Sequence, residues 1–262
     1  MKAVIVVAGT QDARRIIEEL LNLKHLTVHA TVATALGQEF LQSYRDLRIH
    51  SGRRDKGEIT ELIDRVAAAA LIDASHPFAV EISRNAMAAC AARGIPYLRY
   101  EREETLHNPR LSGGNLIIAA DFQEAAAKAA LIPGNILLTV GSNHLEAFTA
   151  GIPDYRERLY VRVLPESRAI AKCESLGLTA RQIIALKGPF SEALNREIYQ
   201  YCQAAAVVTK DSGAAGGNPE KLAAAAQLNL PLIMVTRPPV DYGARVFSIA
   251  AIIEFGKGLG EV

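Results

Sequence analysis

The strongest constraint on the fold is the alternation of short apolar runs with amphipathic helical stretches over the first hundred residues. Lys2 to Ala8 reads KAVIVVA. Such a run suits a strand covered on both faces within a parallel sheet. Ala13, Ile16, Ile17, Leu20 and Leu21 then recur along one helical face. Residues 27–33 read as a second strand. Residues 55–68 read as a helix, with Ile59, Leu62, Ile63 and Val66 on one side. A strand over 70–74, a helix over 78–93 stopped by Gly94, and a strand over 95–99 complete the run. This rhythm calls for a parallel sheet with helices on its faces.

Residues 101–114 interrupt it: they are charged, contain Pro109 and end in Ser112-Gly113-Gly114. They read as a crossover between domains. Alternation then resumes, with strands expected over 115–119, 135–140, 158–164, 182–186, 206–209 and 231–235. Helices are expected over 121–131, 192–202 and 219–228. The expected organisation is an N-terminal Rossmann-like α/β domain (1–100), a crossover (101–114) and a C-terminal Rossmann-like α/β domain (115–262), with mainly parallel sheets. A chain of 262 residues with 50% hydrophobic and 22% charged residues suits one or two globular domains.

A net charge of +1 argues against a nucleic-acid partner. Cys90, Cys173 and Cys202 are far apart and form no C-x-x-C pair, which points to buried, inert thiols and to no metal site. The opening apolar run stops at Gly9-Thr10, short for a signal peptide, and no stretch approaches the ~18 apolar residues of a membrane span. A cytoplasmic protein with no membrane partner is expected, as a monomer or small homo-oligomer.

In open α/β sheets ligands gather beyond the carboxyl ends of the strands, so the residues after each strand are the informative ones. Gly9 and Thr10 turn the chain into a helix whose free N–H groups suit an anion, and Arg14 adds a charge one turn in. The full G-x-G-x-x-G pattern is absent, and a plain tight turn reads equally well. Ala33-Thr34 closes the next strand without a carboxylate, and Arg53 and Arg54 read as surface arginines. His76-Pro77-Phe78 follows another strand, which makes His76 a candidate proton carrier or a structural hydrogen-bonder. The densest cluster is Lys210-Asp211-Ser212-Gly213 with Gly216, Gly217 and Lys221. Its glycines admit close approach by a ligand, and its charges suit an anionic one. Asp211 beside Lys210 reads as an acid or as half of a structural ion pair. No Ser-His-Asp spacing and no metal-ligand spacing is visible, which leaves the chemistry to a cofactor.

These stretches resemble, along nearly the whole chain, the precorrin-6A reductase family of cobalamin biosynthesis, including its cobalt-precorrin-6A members. The Lys210-Asp211-Ser212-Gly213 and His76-Pro77-Phe78-Ala79 stretches carry most weight. Leu98-Arg99-Tyr100-Glu101-Arg102, Arg162-Val163-Leu164-Pro165 and Arg237-Pro238 add to them. The resemblance implies two Rossmann-like domains with a nicotinamide cofactor, NADPH or NADH, and a tetrapyrrole substrate in the cleft between them. It implies that Gly9, Thr10, Arg14, Thr34, His76, Pro77 and Phe78 face the cofactor. It implies that Arg162, Lys210, Asp211, Ser212, Gly213, Gly216, Gly217 and Lys221 face the substrate, with Asp211 and His76 as candidate proton donors. A tetrapyrrole or nucleotide carrier and a tetrapyrrole methyltransferase are the alternatives that the same glycine turns allow.

Overall fold

A computed structural model describes residues 1–105 and 115–260. The greater part of the expected crossover, residues 106–114, lies outside them. In chain order the first elements are β1 (Lys2–Val7), α1 (Gln11–Leu21), β2 (Leu26–Val32), α2 (Ala35–Glu39), β3 (Arg48–Ser51), α3 (Lys56–Val66), β4 (Ala68–Asp73), α4 (Val80–Arg93) and β5 (Tyr97–Tyr100). The middle of the chain forms β6 (Leu116–Ala119), α5 (Phe122–Ala130), β7 (Asn135–Leu138), α6 (Leu145–Gly151), α7 (Tyr155–Arg158), β8 (Leu159–Val163) and α8 (Ser167–Ser175). It continues with β9 (Ile183–Ala185), α9 (Glu192–Tyr201), β10 (Ala204–Lys210), α10 (Asn218–Gln227) and β11 (Leu232–Val235). The last elements are β12 (Arg245–Val246) and α11 (Ile249–Gly258).

Two sheets result, ordered β3-β2-β1-β4-β5-β12 and β9-β8-β7-β10-β11-β6. Every strand pairing among the described residues is parallel. The first order is that of a doubly wound dinucleotide-binding sheet. The second repeats it, except that its sixth strand, β6, precedes the other five in sequence. In each sheet the winding reverses once, between β1 and β4 and between β7 and β10. Those are the points at which loops diverge and leave a crevice.

Burial explains the first sheet. Five consecutive residues of β1, Ala3 to Val7, are buried. Val4 and Val6 pack with Ile16, Ile17 and Leu20 of α1 and Ile252 of α11. Ile5 and Val7 face the other way, onto Ile59, Leu62 and Ile63 of α3 and Ala86, Ala89 and Cys90 of α4. Each fully buried aliphatic side chain contributes roughly 1.5–3 kcal/mol. Helix starts follow from local chemistry: Thr10, Asp121, Ser191 and Ser248 cap α1, α5, α9 and α11. Asp55 and Glu58 form a reciprocal capping box on α3. The three cysteines are buried thiols.

The chain divides into two compact units, Met1–Arg102 with Pro239–Val262, and Glu103–Pro238. Assigning everything after residue 115 to the second domain is therefore corrected. The last strand, β12, pairs with β5 and α11 packs on α1, so the C-terminal segment completes the first unit. The helix expected from residue 78 begins at Val80, because His76 to Ala79 form a turn closed by the Ala79 N–H on the His76 carbonyl at 2.7 Å. No helix among the described residues is long and apolar enough to cross a membrane.

Candidate functional site

The first unit's switch point is built by the turns after β1 and β4. Gly9 has φ +117°, a region that side-chain-bearing residues rarely adopt, and the space where a Cβ would sit is open. Thr10 joins the two turns. Its hydroxyl donates to the Ala74 carbonyl and accepts from the Ala13 N–H, each at 3.0 Å. The first turn of α1 contains buried Asp12, which pairs with Arg102. The pairing offsets the carboxylate charge and leaves the helix N-terminus attractive to an anion. Arg14 is half-buried, its guanidinium 4.9 Å from the centre of the Phe40 ring. Thr34, at the end of β2, accepts the Gly37 N–H at 3.0 Å. Gly9, Thr10, Arg14 and Thr34 thus line the carboxyl edge of neighbouring strands. With its open glycine turn, its helix N-terminus and a cation, this edge fits a dinucleotide pyrophosphate.

His76 is half-buried, and its Nδ1 accepts the Phe78 N–H at 3.2 Å. The neutral ring therefore carries its proton on Nε2. The Phe78 ring lies 5.8 Å from the imidazole, and Pro77 is buried between them in sequence. Beneath this turn is a buried polar network that the sequence reading missed, formed by Asp73, Ser75, Tyr97, Arg99 and Glu101. Burial works to lower the Arg99 pKa, but the Asp73 and Glu101 charges outweigh it and leave the value raised. Burial first, and then the Asp73 charge, push the Tyr97 phenol up, so it donates steadily to Asp73 Oδ2 at 2.7 Å. The sequence signal was two charged residues two apart, Arg99 in a short strand and Glu101 just after it.

In the second unit β10 opens into the turn Lys210 to Gly217, in which Gly213 and Gly217 have φ +70° and +73°. Asp211 is 1% exposed and is an acceptor in every hydrogen bond its carboxylate makes. It takes the Thr105 N–H on both oxygens at 3.1 Å, the Thr105 hydroxyl at 2.7 Å and the Gly213 N–H at 3.1 Å. Asn218 donates to it at 3.4 Å, and Arg237 lies 3.9 Å away. The partners of Asp211 are thus Thr105, Gly213, Asn218 and Arg237 rather than Lys210, and Asp211 is the hub that holds the turn.

Lys210 is pushed down to about 8 by burial. Lys221, on the first turn of α10, is pushed down to about 7 by burial, with Arg162 and Lys210 adding and Glu220 opposing. Its Nζ donates to the Gly216 carbonyl at 3.0 Å and to Asn218 Oδ1 at 3.4 Å. Arg162 is 6% exposed, donates to Asn195 Oδ1 at 2.7 Å and lies 4.2 Å from the centre of the Phe190 ring. Its pKa is lowered by burial. Neither Arg162 nor Lys221 has a carboxylate within ion-pair distance among the described residues. Glu166 Oε1, Thr209 Oγ1 and Glu220 Oε2 are buried in the same unit without hydrogen-bond partners among the described residues. The structure thus gathers Arg162, Lys210, Asp211, Ser212, Gly213, Gly216, Gly217 and Lys221 in one unit. The residues expected to face a cofactor all lie in the other. Asn195, Thr105 and Asn218 are the supporting residues that the sequence did not reveal.

Two doubly wound α/β units, each with a glycine turn where its winding reverses, place the chain among proteins that seat anionic ligands at sheet edges. Within that class it is a member of a particular family. Residues 3–257 match the family model described as Precorrin-6x reductase CbiJ/CobK, and the chain belongs to that family. The cobalt-precorrin-6A reductase of Priestia megaterium is 37% identical over 241 residues, which cover 92% of this chain and 92% of that protein. The cobalt-precorrin-6A reductase of Salmonella typhimurium is 34% identical over 235 residues, covering 90% of this chain and 87% of that protein. The solved structure of CobK precorrin-6A reductase aligns with a TM-score of 0.81 at 25% identity and covers 99% of this chain and 98% of its own.

Proposed function

We propose that the protein reduces a double bond of a precorrin-6A-type tetrapyrrole, with or without cobalt, using NADPH or NADH. The observation that carries this reading is the pair of buried basic side chains, Arg162 and Lys221, with no carboxylate in ion-pair contact among the described residues. Buried charges are costly unless paired, so a site of this kind calls for an anionic ligand. Corrin precursors are flat, largely apolar rings with carboxylate arms. Leu164 and Leu186, each about two-fifths exposed at 43% and 41%, follow β8 and β9 and supply an apolar surface near the same edge.

A reduced nicotinamide, when bound, supplies the hydride. Gly9, Thr10 and the first turn of α1 hold its pyrophosphate, and Arg14 adds positive charge. The accompanying proton is drawn from solvent, and His76 Nε2–H directs it by a hydrogen bond, because Asp211 is engaged as an acceptor by Thr105 and Gly213. Fixed orientation of the two reactants supplies much of the rate. The test is tetrapyrrole binding to the protein without nicotinamide. Arg162→Met is expected to weaken it at least tenfold and to leave NADH and NADPH binding unchanged. An unchanged tetrapyrrole affinity would overturn the assignment.

A further inference from the structure

The stretch from Arg99 to Arg102 has no part in the chemistry above, yet it meets both ligand turns of the first unit. Arg99 is fully buried. Its Nη1 is 2.9 Å from both Asp73 Oδ1 and the Ser75 hydroxyl, and its Nε and Nη2 donate to Glu101 Oε1 at 3.1 and 2.9 Å. The Ser75 N–H donates to the same Asp73 oxygen at 2.9 Å. The guanidinium lies 4.8 Å from the centre of the Tyr242 ring. One side chain therefore ties the end of β4, the tail of β5 and the C-terminal return. Three residues on, Arg102 pairs with Asp12 in the first turn of α1. Thr10 closes the circuit through the Ala74 carbonyl.

A buried ion network is a poor source of stability, since apolar replacements are often as stable. What a planar fork provides is fixed direction, which a lysine point charge cannot reproduce. We propose that Arg99 and Arg102 are positioning residues: they hold the Gly9–Thr10 and Ser75–His76 turns in the geometry that nicotinamide dinucleotide binding requires. This rests on the reading of the first unit as the one that holds the dinucleotide.

The test measures dissociation constants of NADH and NADPH by fluorescence titration of wild type, Arg99→Lys and Arg102→Gln, beside their thermal midpoints and tetrapyrrole affinity. The expected result is a rise of at least tenfold in the dinucleotide constant of each variant, with tetrapyrrole affinity within twofold. Folded variants that bind dinucleotide within twofold of wild type would overturn the proposal. Should Arg99→Lys fail to fold, Ser75→Ala removes one bond of the clamp. A rise of threefold or more then supports the proposal, and an unchanged constant overturns it. A wild-type protein that binds neither dinucleotide would instead overturn the underlying reading of the first unit, and the positioning proposal with it.

Discussion

Replacing Lys221 by methionine should flatten the rise in stability that the wild-type protein shows above neutral pH. Lys221 is 7% exposed, and burial, with Arg162 and Lys210 adding, pushes its pKa from 10.5 to about 7. Between pH 7 and 9 the unfolded chain keeps a proton that the folded chain has released. The unfolded state thus binds more protons, and stability rises with pH across that window. At about 1.4 kcal/mol per pKa unit, the rise from pH 7 to pH 9 is about 2 kcal/mol from Lys221 and about 1 kcal/mol from Lys210. The buried thiols, whose pKa values burial raises, pull the other way near pH 9, and they cancel when variant and wild type are compared. The assay is urea unfolding at pH 7 and pH 9, followed by circular dichroism. The variant should lose about 2 kcal/mol of the pH-dependent difference. Parallel changes in the two proteins would refute the claim that Lys221 holds a depressed, buried charge. The same equilibrium means that an acidic ligand draws a proton onto Lys221 as it binds.

On the acid side, His29 Nδ1 lies 3.0 Å from His50 Nε2; burial lowers both pKa values, that of His50 to about 4. Their contribution to stability is present above pH 6.5 and is lost as pH falls toward 4; His50→Gln should reduce that loss by about 1–2 kcal/mol after solvent screening, measured by urea unfolding at pH 7 and 4.5. Gly9→Ala forces a side chain onto φ +117° and should lower stability by about 1 kcal/mol or more, with weaker dinucleotide binding in a fluorescence titration. Ile16→Ala, at a fully buried position between α1 and β1, should cost about 2–5 kcal/mol in urea unfolding and leave ligand specificity unchanged.

The central strands were legible because they are buried on both faces and therefore read as unbroken apolar runs, as in Val4 to Val7. The glycine turns were legible because Gly9, Gly213 and Gly217 mark positions of positive φ. The edge strand β3 was not, since Arg48 to Ser51 is polar and at most half-buried. Nor was β12, whose two residues give no pattern and whose partner, β5, lies some 145 residues earlier in the chain. Periodicity shows that a segment is a strand, but it does not show which sheet the strand joins. The partners of Asp211 were not legible for a related reason: Thr105, whose hydroxyl lies 2.7 Å away, is 106 residues distant in sequence. The ion pair with neighbouring Lys210 was one of two readings of Asp211, and the fold instead supplies donors from elsewhere in the unit.

The most direct test of the reductase assignment is a spectrophotometric assay that follows nicotinamide absorbance when the pure protein is mixed with precorrin-6A or its cobalt form. Oxidation of NADPH or NADH in step with loss of the tetrapyrrole, much slowed in Arg162→Met and in His76→Gln, is the predicted result. Tight tetrapyrrole binding with neither dinucleotide consumed would contradict it.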